Sequence, residues 1–193
     1  MTYKELVEKC LKCKRCRLRK TANQVVPGDG NPKADIMFVG EAPGANEDKK
    51  GVPFCGAAGK ILDEMLNSIN LKRKDVFITN IVKCRPPGNR DPFDDEIKAC
   101  KYWTNEFIKI IRPKIFVLLG RFAMGKFFPK SKISNMHGEV YKKWGRLFLI
   151  MYHPAVALYN RNFKEVLMED IKVLEKLLEG DMSVVKNLDK AKK

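Results

Sequence analysis

The strongest chemical pattern in this chain lies in its cysteines. Cys13 and Cys16 are separated by two residues, and Cys84 and Cys100 follow much later. Two thiolates at that spacing can hold one metal centre, and four complete a tetrahedral zinc site or a [4Fe–4S] cluster. Spacing alone leaves zinc and iron–sulfur open. The basic neighbours Lys12, Lys14, Arg15, Lys83 and Arg85 are expected to favour the thiolate form. The plain alternative is a set of unpaired, partly buried thiols. Cys10 and Cys55 are expected to stand outside the metal site.

A second group of residues could perform acid–base or binding chemistry. Gly40-Glu41-Ala42-Pro43-Gly44 makes a sharp turn that places a carboxylate where a ligand could approach the backbone. Such a carboxylate could position water or stabilise positive charge. Phe54 is a planar group close by, able to stack on a base or to serve as core. Asn80 interrupts the apolar run FITNIV. A buried amide needs partners, and its donor and acceptor suit the edge of a nucleobase. The loop 83–92 is basic and stiffened by prolines, so Arg85, Asn89 and Arg90 could track phosphates. His153-Pro154-Ala155 supplies a donor for a developing anion. His137 gives no further signal. Arg121-x2-Met124-x2-Phe127-Phe128 has the spacing of a sliding-clamp peptide but lacks its glutamine, and reads better as a core helix face.

The elements that must carry these residues alternate along the chain. Helical spacing covers 3–11, 57–69, 94–111, 121–128 and 163–178. Apolar runs at 34–40, 76–82 and 114–120 read as strands, and 141–152 as a hairpin whose second arm, 147–151, joins the core. Strands alternating with helices predict a three-layer α/β/α sandwich around a mainly parallel four-stranded sheet. Ligands of such folds bind beyond the carboxyl ends of the strands. That rule singles out the loops after Gly40, Val82 and Met151. Residues 1–180 are expected to form one domain, and 181–193 a basic, flexible tail.

Composition narrows the function. Lysine and arginine total 38 against 23 acids, a net charge of +15. That excess favours a polyanion, nucleic acid first. Hydrophobic residues make up 45%, too many for a disordered chain. No apolar run approaches the roughly 20 residues that span a bilayer. The charged N-terminus has no signal-peptide character, so a cytoplasmic, membrane-free protein is expected.

In their joint order these motifs closely resemble the family 4 uracil-DNA glycosylases, the iron–sulfur type of bacteria and archaea. The matching residues are Gly40–Gly44, Glu47-Asp48, Gly51-x-Pro53-Phe54-x-Gly56-x-Ala58-Gly59, Thr79-Asn80, Lys83–Pro87 with Asn89-Arg90, Leu119–Arg121 and His153–Ala155. Cys55 departs from the aliphatic residue expected between Phe54 and Gly56. Ala155-Val156-Ala157 lacks the Ser-Pro-Leu wedge of family 1 enzymes, which leaves open what fills the gap of a flipped base. The resemblance implies hydrolysis of the N-glycosidic bond of uracil in single- or double-stranded DNA, leaving an abasic site. It implies a structural [4Fe–4S] cluster on Cys13, Cys16, Cys84 and Cys100. It makes Glu41 and His153 catalytic, Glu41 positioning water or offsetting the sugar cation and His153 donating to uracil O2. It assigns uracil binding to Gly40, Ala42, Pro43, Glu47, Phe54 and Asn80, and DNA contacts to Arg85, Asn89 and Arg90. A monomer without sliding-clamp contact is expected. The competing readings are a covalent uracil-DNA binder, a zinc-ribbon-like binding module, and a glycosylase for other deaminated bases.

Overall fold

A computed structural model describes residues 1–187 of the chain. In order, the main elements are α1 (Tyr3–Leu11), β1 (Asp29–Gly30), β2 (Ile36–Gly40), α2 (Ala45–Lys50), α3 (Ala57–Ser68), β3 (Phe77–Asn80), α4 (Asp94–Ile111), β4 (Ile115–Leu119), α5 (Arg121–Phe127), β5 (Val140–Lys143), β6 (Arg146–Met151), α6 (Val156–Tyr159), α7 (Asn162–Leu178) and β7 (Val185–Asn187). Several start and stop on local chemistry. Thr2 and Glu5 form a reciprocal capping box at α1. Asp94, Asp95 and Glu96 open α4, where their charge complements the helix dipole.

The sheet runs β1-β3-β2-β4-β6-β5-β7. Its centre is the expected four parallel strands, β3-β2-β4-β6. Three short additions at the edges bring it to seven: β1 and β5 pair antiparallel, and β7 pairs parallel with β5. The strands β2, β3 and β4 are buried along their whole length, which explains why their sequences show no alternation. Two apolar cores follow, one on each face. Phe77, Phe107, Phe116 and Phe148 pack under α1, α4 and α5. Phe38, Leu62, Met65, Val117 and Leu174 pack under α3 and α7. This is the α/β/α sandwich.

Two local expectations change. The long loop after β2 contains the short helix α2. The basic tail expected from residue 181 is ordered as far as it is described. Val185–Asn187 extends the sheet edge, and Lys186 pairs with Glu139. Residues 188–193 of that tail lie outside the described residues. Among the described residues no helix is long and apolar enough to cross a membrane.

Candidate active site and cysteine cradle

The strand order reverses beside β2. The connection from β2 through α3 leads to β3 on one side, while β4 lies on the other. Such a switch point opens a crevice at the carboxyl ends of the strands. A cleft of about 420 Å³ occupies it. Its wall includes Glu41, Ala42, Pro43, Gly44 and Glu47 after β2, Phe54 and Gly56 before α3, and Asn80 at the end of β3. Asn89 and Arg90 join from the next loop and His153 from the loop after β6. The loops after Gly40, Val82 and Met151 therefore converge as the strand-end rule predicts.

The floor is built by close approach. Gly40 lies against Asn80 and Phe54; a Cβ at position 40 would collide with Asn80 Oδ1 and come within 2.6 Å of Phe54 Cζ. Phe54 is held at φ 52, a conformation that favours glycine. Arg73 secures it: Nη1 donates to the Pro53 carbonyl at 3.0 Å, Nη2 donates to the Phe54 carbonyl, and Nε meets Asp63 at 2.6 Å. Glu47 accepts the Gly56 N–H at 2.8 Å and so ties α2 to the start of α3. Asn80 is 2% exposed. Its Oδ1 is the one buried side-chain oxygen or nitrogen among the described residues without a partner.

Phe54 and His153 stack with centroids 5.4 Å apart and planes 26° from parallel. A third ring between them would need about 7 Å, two van der Waals contacts. A bound base must therefore lie beside the pair. His153 Nδ1 accepts the Ala155 N–H at 3.2 Å. That bond assigns the proton of a neutral imidazole to Nε2. Burial pushes the His153 pKa down to about 4, so the ring is neutral at pH 7. Gly120, at φ 91, lets the His153 loop come close: a Cβ there would sit 3.1 Å from His153 Cβ. Burial pushes Glu41 up to about 7; the Asp91 charge adds to this and Arg121 opposes it. A carboxyl group poised there suits proton handling near neutrality.

The two arginines of the basic loop are held differently. Arg90 is bound within the fold: Nη1 and Nη2 reach the two Glu96 oxygens at 2.9 and 2.8 Å, and the guanidinium lies 3.8 Å from the Phe93 ring centroid. Glu96 also accepts from Arg17 at 3.0 Å and from the Phe93 N–H at 2.8 Å. The Arg90 hydrogen bonds come first among the causes that hold its pKa at about 2. Arg85 contacts Asn89 at 2.7 Å on the exposed side.

Four features were missed from sequence. Leu158 and Tyr159 line the cleft mouth at 50% and 91% exposure; an apolar side chain on a surface helix carried no signal. Arg73 is remote in sequence from the loop it holds. Lys83 is buried, its Nζ donating to Thr79 Oγ1 and to the Asn80 carbonyl, each at 2.6 Å.

None of the six cysteines is joined in a disulfide. Cys13, Cys16, Cys84, Cys100 and Cys10 share one side of the sheet, with Cys10 fully buried. Cys13 Sγ accepts from Trp103 Nε1 at 3.0 Å and from the Arg15 N–H at 3.4 Å. Cys100 Sγ accepts the Lys83 N–H at 3.2 Å. Among the described residues no three His, Cys, Asp or Glu side chains gather tightly enough to hold a single metal ion. The basic neighbours do not make these groups thiolates by themselves. Lys12, Lys14 and Arg15 point to solvent. Burial dominates and pushes Cys84 up to about 12 and Cys100 to about 11, outweighing Lys83 beside Cys100.

Comparison with known proteins agrees with this geometry. Residues 27–174 match the model of the uracil DNA glycosylase superfamily. A protein of Sulfurisphaera tokodaii named Type-4 uracil-DNA glycosylase is 48% identical over 186 residues, covering 91% of this chain and 84% of its own. One of the same name from Archaeoglobus fulgidus is 46% identical over 182 residues, covering 90% and 92%. A Type-5 uracil-DNA glycosylase of Thermus thermophilus is 33% identical over 171 residues, covering 75% and 78%.

Proposed function

The chain belongs to the uracil DNA glycosylase superfamily, and we propose that it removes uracil from DNA by hydrolysing the N-glycosidic bond, leaving an abasic site. The observation that carries the assignment of roles is the unpartnered Asn80 Oδ1 in a cleft that also holds Phe54, Glu41 and His153. Uracil supplies what Oδ1 lacks. Its N3–H donates to Oδ1, and its O4 accepts from Nδ2. Cytosine offers the reverse pattern and leaves buried groups unpaired.

The nucleotide must leave the stack to reach this floor, at a cost of a few kcal/mol. Its ring packs on Phe54 beside His153. Leu158 and Tyr159 stand at the cleft mouth, where an apolar side chain can fill the space that the flipped base vacates. As the bond breaks, negative charge grows on uracil O2 and positive charge on the sugar. His153 Nε2–H donates to O2; as a neutral donor it needs no proton transfer. Glu41, as carboxylate, orients the attacking water and offsets the sugar cation. The Glu41 and Ala42 amides assist at the anion. Gly40, Pro43 and Glu47 shape the wall, with Glu47 acting through the Gly56 N–H. Arg85 and Asn89 contact the DNA backbone, and Arg90 braces their loop against α4.

The cofactor reading is a [4Fe–4S] cluster on Cys13, Cys16, Cys84 and Cys100. The donor set fits it: four thiols on one side of the sheet, with N–H groups aimed at two of the sulfurs. Bound, the cluster pins the segment after α1 to α4 and to the loop after β3, a structural role. The protein acts as a monomer on single- or double-stranded DNA. We place it in the cytoplasm, where its prokaryotic relatives keep their DNA.

The direct test is cleavage of a labelled uracil-containing oligonucleotide after alkali, with Glu41→Ala and His153→Ala alongside. Strand breaks at uracil with the native protein, and their loss in both variants, are expected. Tight binding without breakage would instead indicate a binding module.

A further inference from the structure

The end of the sheet opposite the cleft carries an aromatic–cationic surface that excision does not use. The β5–β6 hairpin turns at Trp144-Gly145, both at positive φ (50 and 70). Asparagine or glycine fits the first of these positions easily and tryptophan poorly. The indole is nevertheless 68% exposed. One of its faces carries the Lys143 ammonium, 4.3 Å from a ring centroid, while Lys143 Nζ also donates to the Phe127 carbonyl at 2.6 Å. The Phe148 ring meets the indole edge-on with centroids 6.4 Å apart, and most of the indole remains in solvent.

The surroundings are strongly basic. Lys143 is paired across the hairpin with Arg146. The Leu147 N–H donates to the Lys114 carbonyl at 3.0 Å, which sets Arg146 beside Lys114. Arg112 ends the α4 helix just before it, and Lys142 lies within the hairpin. Asp35 is paired with Lys114 at 3.0 Å at the surface, and Glu139, just before β5, is paired with Lys186. Strand β6 separates this hairpin from His153, about 20 Å at 3.3 Å per residue. The hairpin is not part of the cleft lining.

We propose that the Trp144 hairpin is a second binding site, for single-stranded DNA. An unpaired base stacks on the exposed indole, and the phosphates on either side run past Lys143, Arg146, Lys114 and Arg112. Stacking plus a cationic track is how proteins hold single strands without reading sequence. A duplex presents no free base face here. The site lets the protein keep hold of one segment while the cleft samples another.

The test uses the full chain and uracil-free oligo(dT) of about 15 nucleotides, the length that one such site covers. Tryptophan emission is the local readout, because Trp103 is buried beside Cys13. Oligo(dT) is expected to quench emission, and Trp144→Phe to remove the quenching. Lys114→Glu with Arg146→Glu should shift the midpoint to about tenfold higher concentration. Trp144→Ala, in an exposed turn, should keep the thermal midpoint and the excision rate on a short uracil strand. Absent quenching, or quenching that survives the charge reversal, overturns the proposal. Equal quenching by polyglutamate at the same ionic strength also overturns it, and would assign the surface to an acidic protein segment. Loss of excision by the native chain would bear on the glycosylase reading alone.

Discussion

The backbone N–H of Ala155 donates to Nδ1 of His153 at 3.2 Å. Two residues of one turn thereby decide which imidazole nitrogen presents a proton to the cleft. Burial keeps the ring neutral, with a pKa near 4. The donor is therefore in place at neutral pH, beside a Glu41 that burial pushes up to about 7.

Burial pushes Glu41 up to about 7, and the role proposed for it requires the carboxylate. The single-turnover excision rate should climb about tenfold per pH unit below 7 and level off above it. Glu41→Gln should lose most of the rate and the slope together. The same shift has a stability consequence of opposite sign. A carboxyl whose folded pKa is raised contributes stability below its unfolded pKa, and that contribution is lost as pH rises through 7. Glu41→Gln should therefore unfold at higher denaturant at pH 8, by about 1–3 kcal/mol, and show no gain at pH 4. Unequal unfolding gains at the two pH values are the check.

Asn80→Asp replaces a donor–acceptor pair with acceptors only. Uracil excision should fall at least about a hundredfold, because O4 then faces a carboxylate. Cytosine-containing strands should be cut measurably for the first time. Parallel assays on uracil and cytosine oligonucleotides would show the exchange, and unchanged uracil activity would remove Asn80 from base readout.

Arg85 and Arg90 should separate in behaviour despite sharing a loop. Arg85→Ala should reduce the salt dependence of DNA binding by about one phosphate contact. Arg90→Ala should leave that slope alone and lower stability, since it removes two of the four hydrogen bonds to the buried Glu96 and leaves Arg17 as its one cation. Because the Glu96 pKa is depressed, the stability it contributes is present at neutral pH and disappears only as pH falls towards 2. Titrations at several salt concentrations beside urea unfolding would distinguish the two residues.

Iron and acid-labile sulfide analysis should return about four of each per chain, with a brown colour and no zinc. Cys100→Ser should bleach the colour and lower the thermal midpoint. Cys55→Ser should do neither, since Cys55 lies beside the cleft rather than among the other thiols.

Much of this was legible along the chain because it is local. The apolar runs of β2 and β4, the stripe Ile61, Leu62, Met65 and Leu66 on α3, and the turn Gly40–Gly44 are determined by neighbouring residues, so the strand–helix alternation and the loops that meet at the cleft could be read directly. The motif order from Cys13 to His153 identified the chemistry. Tertiary structure alone decided the rest, because each remaining feature depends on a residue distant in sequence or on burial. The pKa of Glu41 rests on its burial in the cleft and then on the Asp91 charge. Arg90 is bound by Glu96, and Phe54 is held by Arg73. Tyr159 and Trp144 are ordinary apolar letters in sequence; only folding shows that one ends at the mouth of the cleft and the other at the opposite end of the sheet, both facing water.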